Sequence, residues 1–496
     1  MLRWLRALAL SSPALLLVVA CATSTGQAEC LADDEPDPLG VDSDCDGVDG
    51  VAADAIFVAT NGDDGAPGTR DAPLKTIKAA LDRASREKKK AVFAGGGTYD
   101  EPATLLLPDK VGLYGGYDPG AQWKRTGERT KIVVRAPVAM EARGLSGPNV
   151  LARFTLTAAD GTKPGESSIA LRLVDVKGAV LTDDVELVAG RGAPGTAGTP
   201  GMAGAAGNPG AAGGNGAIDN QNSPGGGGPP GDNPACPEAR GGAGGQGGKD
   251  PNFAGVRGEP SALMVMGGLG GATNSCSPSD GQPGQTAPAD GEPGADGAAG
   301  GAPKIDLKTY SIMPADGADG QPGKTGAGGG GGGGSSGQTS ISCIDGSGNG
   351  GGGGGAGGCG GTGGTKGTGG GSSVALLAVA SPVKLDGVAL STAGGGKGGD
   401  GGAGGVGGAG AQGGPQNTFG SGEIGKSGKG GDGRKGGDGG AGGGGGGGAS
   451  IGVWFEGQVG TLDRVTYKLG EPGEGGACPK GPACSGARGP KKEVGP

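Results

Sequence analysis

Apolar and polar positions alternate along a few short islands of the chain, and the islands are copies of one unit. Ser168-Ile-Ala-Leu-Arg-Leu, continued by Val180-Leu-Thr-Asp-Asp-Val-Glu-Leu187, matches Ser373-Val-Ala-Leu-Leu-Ala, continued by Val383-Lys-Leu-Asp-Gly-Val-Ala-Leu390. A third copy runs from Ser450-Ile-Gly-Val-Trp-Phe to Thr461-Leu-Asp-Arg-Val-Thr-Tyr-Lys-Leu469, and a looser one ends Asn149-Val-Leu-Ala-Arg-Phe-Thr-Leu156. Period-two alternation predicts three short strands per copy. Strands that short cannot bury a face alone, so repeated copies predict a stacked, solenoid-like body. Asp183, Asp386 and Asp463 align between the second and third runs. A short polar side chain that tolerates left-handed backbone suits a sharp bend there. The alternative is a functional row of stacked carboxylates, for calcium or for acid–base catalysis. Earlier in the chain the period changes: Leu74, Ile77, Leu81 and Ala84 form a helical stripe, and Arg86-Glu-Lys-Lys-Lys90 follows at its negative end.

Three stretches share a further likeness: Ile56-Phe-Val-Ala-Thr-Asn-Gly-Asp-Asp-Gly-Ala-Pro-Gly-Thr-Arg-Asp-Ala-Pro-Leu-Lys-Thr-Ile-Lys-Ala-Ala-Leu81, Ala91-Val-Phe-Ala-Gly-Gly-Gly-Thr-Tyr99 and Val111-Gly-Leu-Tyr-Gly-Gly-Tyr117. Together they resemble the entry segment and first coil of short pectin-lyase-like domains. The resemblance implies an all-β fold, a right-handed parallel β-helix of about five coils, with the helix plugging its open end. It also implies that the long insertions leave from one place, the turn after the third strand of a coil. The resembled superfamily contains polysaccharide lyases and hydrolases, which gather acidic and basic groups on adjacent coils. Here Arg172 and Asp175 lie on one coil, but Leu377 and Val379 stand near the matching places on the next. We therefore expect a non-catalytic protein with a structural or adhesive role; a polysaccharide lyase, hydrolase or binding module is the competing expectation.

Composition divides the chain. Residues 56–190 read as the cap and first coils, 372–393 as another coil, and 449–470 as the last. Between them lie glycine-rich insertions at 191–371 and 394–448, and residues 471–496 read as a cysteine-clipped tail. Glycine accounts for 129 of the 496 residues and is concentrated in the two insertions, which leaves few large side chains there to form a core. Gly192-Ala-Pro-Gly-Thr-Ala-Gly-Thr-Pro-Gly is a strict triplet like collagen, whereas Gly395-Gly-Lys-Gly-Gly-Asp-Gly-Gly-Ala repeats Gly-Gly-X. An extended helix with three residues per turn places every X on one side and leaves glycine faces for close approach. Three expectations stay open: a bundle of such polyglycine-type helices, a disordered loop, and a collagen trimer.

At the N-terminus, Arg3 and Arg6 precede an apolar run ending Leu15-Leu16-Leu17-Val18-Val19-Ala20-Cys21. Val-Val-Ala-Cys resembles a bacterial lipobox. That resemblance implies that residues 1–20 are a signal peptide, that Cys21 is lipidated, and that Ala22 directs sorting to the outer membrane. A membrane contact through the lipid anchor is thus expected, with extracellular polysaccharide or surface proteins as further partners. Residues 21–55 read as an acidic stalk. Within it Asp42, Asp44, Asp46 and Asp49 alternate like the front half of a calcium loop, with Gly47 allowing the wrap; a merely acidic stalk is the alternative.

The eight cysteines other than Cys21 suit an oxidising compartment. Nearest-neighbour pairing predicts Cys30–Cys45, Cys236–Cys276, Cys343–Cys359 and Cys478–Cys484. The absence of histidine removes the commonest general base and metal ligand, and a net charge of −9 disfavours nucleic acid. No cofactor is required on this reading, calcium aside.

Overall fold

The structure is a computed structural model that describes residues 30–495 apart from 32, 126, 221, 274, 275, 339–345 and 421. The expected signal peptide, Cys21 and Cys343 lie outside the described residues. Three parallel sheets carry the apolar islands. The chain enters the first sheet at Ala55–Val58 and Ala91–Gly95, crosses to the second at Thr98–Glu101 and to the third at Leu105–Leu106, then returns to the first at Gly112–Asp118. The cycle repeats until Lys491–Gly495. The second and third sheets hold six strands each, which makes six passes rather than about five. The tail supplies the added strand. Expected only as a clipped loop, it rejoins the third sheet beside Ser450–Glu456.

Strand register follows the repeats. Ser168 pairs with Ser373 and Ser373 with Ser450, as the aligned copies require. Asp386 pairs with Asp463, but Asp183 is not in their row. Leu181 pairs with Leu385 and Val185 with Val388, so the earlier copy holds one more residue in its bend. The left-handed conformation falls on Asp183 and Asp184 there, and on Gly387 and Arg464 in the later copies. Position in the bend is fixed by the backbone path, whereas the residue type is not.

Inward side chains of all three sheets form one core, from Ile56 and Val92 through Leu151, Leu171 and Leu181 to Leu385 and Val453. The helix Ile77–Glu87 closes one end. Thr76 accepts a hydrogen bond from the Ala79 amide and starts the helix, and left-handed Lys88 stops it. Ile77, Ala80, Leu81 and Ala84 face inward beside Leu74. Glu101, 1 % exposed, accepts the Ile77 amide at the positive end of the helix.

Every long insertion leaves between the second and third sheets: after Ala158, Ala189, Thr392 and Leu469, returning at Ser168, Ser373, Ser450 and Lys491. The insertions are ordered and bond to one another. Residues 346–371 form the axis. Gly353, Gly354 and Gly355 donate to the carbonyls of Ala211, Gly242 and Gly431 at 2.8–2.9 Å, and their own carbonyls accept from Gly414, Gly231 and Gly329 at 2.7–2.9 Å. Three consecutive residues thus bond six different tracts, which is the packing of three-residue-per-turn helices side by side.

Crowding explains the glycine. A Cβ on Gly353, Gly354 or Gly355 would stand 2.0–2.2 Å from the carbonyl oxygens of Pro229, Gly329 and Ala411. The collagen-like tract lies on the outside. A Cβ on its Gly195, Gly198 or Gly201 would stand 2.0–2.1 Å from carbonyl oxygens of the axial tract, while Thr196, Thr199 and Met202 stay exposed. The triplet therefore reports one packed face, satisfied within this chain and needing no second or third copy.

Candidate functional surfaces

Residues 33–54, expected as a stalk, lie against the outer face of the first sheet. Strands there are buried on both faces, and outward Phe57, Phe93, Tyr114, Tyr117 and Trp123 form a second apolar cluster with Val48. Charged groups fasten the segment to it. Arg125, whose side chain is fully buried, pairs with Asp49 and Asp183 and donates to the Asp37 carbonyl. Arg153 donates to the Pro38 carbonyl and pairs with Asp183, and the Tyr117 hydroxyl donates to the Asp49 carbonyl. Burial pushes the Asp49 carboxyl up to about 6, against the opposing pull of Arg125.

The four carboxylates expected as a calcium loop separate into two groups. Asp42 and Asp44 come together with Asp34, whose ligand oxygens lie within 4.8 Å of theirs. Asp46 turns its oxygens to the Val48 and Ala52 amides and pairs with Arg70, while Asp49 is held by Arg125. Desolvation, together with nearby Asp46 and Asp42, raises the Asp44 carboxyl above its ordinary range. Convergent carboxylate oxygens are the donor set of a hard cation. Asp34 was missed because it lies outside the alternating run; the Cys30–Cys45 disulfide folds it back onto that run.

On the outer face of the third sheet, Arg172 stands opposite Glu141 on one neighbouring pass and Leu377 on the other. Glu141 pairs with both Arg143 and Arg172. The antiparallel hairpin Lys304–Asp306 with Ser311–Met313 covers them: Tyr310 lies 5.4 Å from the Arg143 guanidinium, and its carbonyl accepts from Arg172. Asp175 is a left-handed turn residue rather than a member of this group. The one carboxylate is shared by two guanidiniums, which leaves the group at +1 beside the hairpin. The hairpin also packs Ile312 onto Ile169, Val374 and Trp454.

Two of the expected disulfide pairings are corrected. Cys236 bonds Cys359 across 123 residues, not Cys276. Cys359 is therefore not paired with Cys343, and Cys276 is disulfide-bonded as well. Sequence proximity misleads here because the tract 225–231 runs parallel to the axial tract at a constant offset of 123 residues, which carries Cys236 to Cys359. Cys30–Cys45 and Cys478–Cys484 form as expected.

The exposed flanks of the bundle carry polar caps. Thr365 and Thr368 hydroxyls accept the Thr199 and Thr196 amides, and Asp316 and Asp319 accept the Gly369 and Lys366 amides, where no neighbouring tract supplies a carbonyl. Lys397–Asp400, Lys429–Asp432 and Lys435–Asp438 pair along the tracts at a spacing of three.

A family model described as a protein of unknown function, DUF1565, matches residues 60–132. That stretch spans the turn after the entry strand, the helix and the first passes. With the parallel sheets, it identifies a β-helix-like domain. No curated protein and no solved structure matches. Among the described residues no helix is long and apolar enough to cross a membrane.

Proposed function

We propose that this chain is a non-catalytic, lipid-anchored envelope protein whose right-handed β-helix holds out a rigid polyglycine-type bundle for adhesion or matrix structure. One observation carries this reading: the insertions are bonded into a solid around residues 346–371 rather than left as separate loops. The collagen-like tract, 25 residues from 192 to 216, spans roughly 75 Å at ~3.1 Å per residue. Such a body presents chemistry at a distance without spending flexible chain. Anchoring through Cys21 at the outer membrane gives it a surface, and extracellular polysaccharide or surface proteins are its partners.

A calcium ion held by Asp34, Asp42 and Asp44 would stiffen the segment that joins the anchor to the β-helix. The competing reading, a polysaccharide lyase or hydrolase, draws on the superfamily and on Glu141, Arg143 and Arg172. The Glu141 carboxylate is held in ion pairs with both arginines, and that weighs against it. The test compares attachment to a polysaccharide-coated surface by cells carrying the native chain, Cys21→Ser, or a chain lacking 394–448. Attachment should fall with either change. Equal attachment in all three would end the display reading, and turnover of pectin or alginate by the purified chain would replace it with an enzyme.

A further inference from the structure

The Cys30–Cys45 disulfide divides the docked N-terminal segment in two: a covalent ring between the cysteines, and a strap from Asp46 to Asp54 that leads into Ala55–Val58. The ring grips the first sheet through the Asp37 and Pro38 carbonyls, which accept from Arg125 and Arg153 at 2.8 and 2.9 Å. The strap grips it through Val48, buried in the aromatic cluster, and through Asp49, which pairs with Arg125 at 3.3 Å. The Asp49 carbonyl accepts the Tyr117 hydroxyl at 2.7 Å, and the Asp46 carbonyl accepts from Arg70 at 2.9 Å. Ring and strap also bond each other: the Gly50 amide donates to Asp34 and the Asp37 amide to Asp49, at 2.7 and 3.0 Å.

Arg125 is the post that both share. One of its nitrogens, Nη1, donates to the ring's Asp37 carbonyl and to the strap's Asp49 carboxylate, while Asp183 holds Nη2. Along an unbridged chain, a pull from ahead of Cys30 would travel residue by residue. It would free Asp37 and Pro38 before any load reached Asp49. The disulfide short-circuits that path, because tension crosses from Cys30 to Cys45 and enters the strap at Asp46. The ring then has no loose end to peel, and its bonds to Asp49 and Gly50 tie its departure to that of the strap. Forced opening is governed by the barrier to opening. Contacts that must yield together present a higher barrier than the same contacts taken in turn.

We propose that ring and strap form a mechanical latch, which the Cys30–Cys45 bridge makes open in one step under a pull from its N-terminal side. It rests on the anchoring reading only for the source of that pull. The test is single-molecule stretching of the full chain carrying Cys21→Ser, tethered ahead of Cys30 and at the exposed position of Lys131 on the second sheet. The bridged chain should open in one rupture that frees residues 46–54, about 30 Å of extended backbone. With Cys30→Ser and Cys45→Ser together, release should come in two or more steps at lower force and reach about 80 Å, the span of residues 31–54. If that variant docks no ring at rest, Asp49→Asn in the bridged chain carries the test: the single step should remain and its rupture force should fall, because Arg125 loses the charge that the strap presents to it. Stepwise release in the bridged chain, equal rupture force with and without the bridge, or an unchanged force in Asp49→Asn overturns the proposal. The instrument supplies the pull, so a failure here leaves the display reading standing, and a failed cell attachment leaves the latch standing.

Discussion

The sheets and the bundle exclude water by opposite means. In the sheets, Leu171, Leu376 and Val453 are stacked rung on rung, and side chains fill the interior. In the bundle, Gly353, Gly354 and Gly355 are just as enclosed, yet what surrounds them is backbone. The first strategy tolerates exchange among apolar residues of similar size. The second tolerates no side chain on a packed face, because the clashing atom is a carbonyl that cannot swing aside. Glycine content therefore reports the number of packed faces. Axial residues 350–355 are glycine throughout, the flanking 395–408 tract keeps two glycines per triplet, and the outer 192–210 tract keeps one. Where a neighbouring tract ends, side chains reappear: Gly350 and Gly353 face carbonyls of tract 225–231, and Cys359, Thr362 and Thr365 follow in the same column.

The largest expected effect separates the two regions directly. Replacing Cys236 and Cys359 by serine removes a link across 123 residues, which should destabilise the bundle by about 4–5 kcal/mol. Hydrogen exchange should show lost protection at Gly350–Cys359 and retained protection at Ser373–Val379. Equal loss in both would mean that they unfold as one unit, and the contrast would collapse. Gly353→Ala comes next. Its Cβ would meet the Pro229 carbonyl at 2.0 Å, so the tracts must part, at about 3 kcal/mol. Urea unfolding monitored within the bundle would check this, and a loss under 1 kcal/mol would deny the packing.

Between pH 4 and 6.5, titration should act on the sheets' flank. The Asp49 carboxyl, at about 6 in the folded chain against 3.8 free, favours its protonated form when buried. Its contribution is fully present below about pH 4 and is lost as pH rises through about 6. Protease resistance of residues 33–54 should therefore decline between pH 4 and 6.5, and Asp49→Asn should flatten that slope. A slope that survives the substitution would assign the titration elsewhere.

Much of the sheet region was legible because strand periodicity and repeat spacing are local signals. Ser168, Ser373 and Ser450 fell into register from sequence alone, as did the point where the insertions depart. The extra residue at Asp183–Asp184 was invisible because both copies contain a plausible bend of the same written length. Docking of residues 33–54 left one sign that was not used: Ile56-Phe-Val and Val92-Phe-Ala are apolar on both faces, which requires a cover on the outer one. In the bundle the triplet period was legible, but neighbour identity was not. Glycine carries no side chain to specify a partner, so Cys236–Cys359 could not be told from Cys236–Cys276.

The caps and the exposed glycines set the fine scale of the contrast. Thr365→Val keeps the shape but leaves the Thr199 amide without its hydroxyl acceptor, which should cost about 1 kcal/mol, read as faster exchange at that amide. Gly226 gives the sharpest case because the expected sign reverses. It sits in a bonded tract, but a Cβ there meets nothing within 4 Å, and three residues on Pro229 occupies the same outward column. If glycine were needed merely to adopt the extended helix, Gly226→Ala should destabilise like Gly353→Ala. If glycine is needed only where backbone presses on backbone, alanine at 226 loses nothing in the folded state and restricts the unfolded chain. It should then stabilise the bundle by about 0.4–1 kcal/mol. The two substitutions change the same atom in the same kind of helix, so opposite shifts in the unfolding midpoint would isolate packing, rather than conformational freedom, as the reason for the glycine.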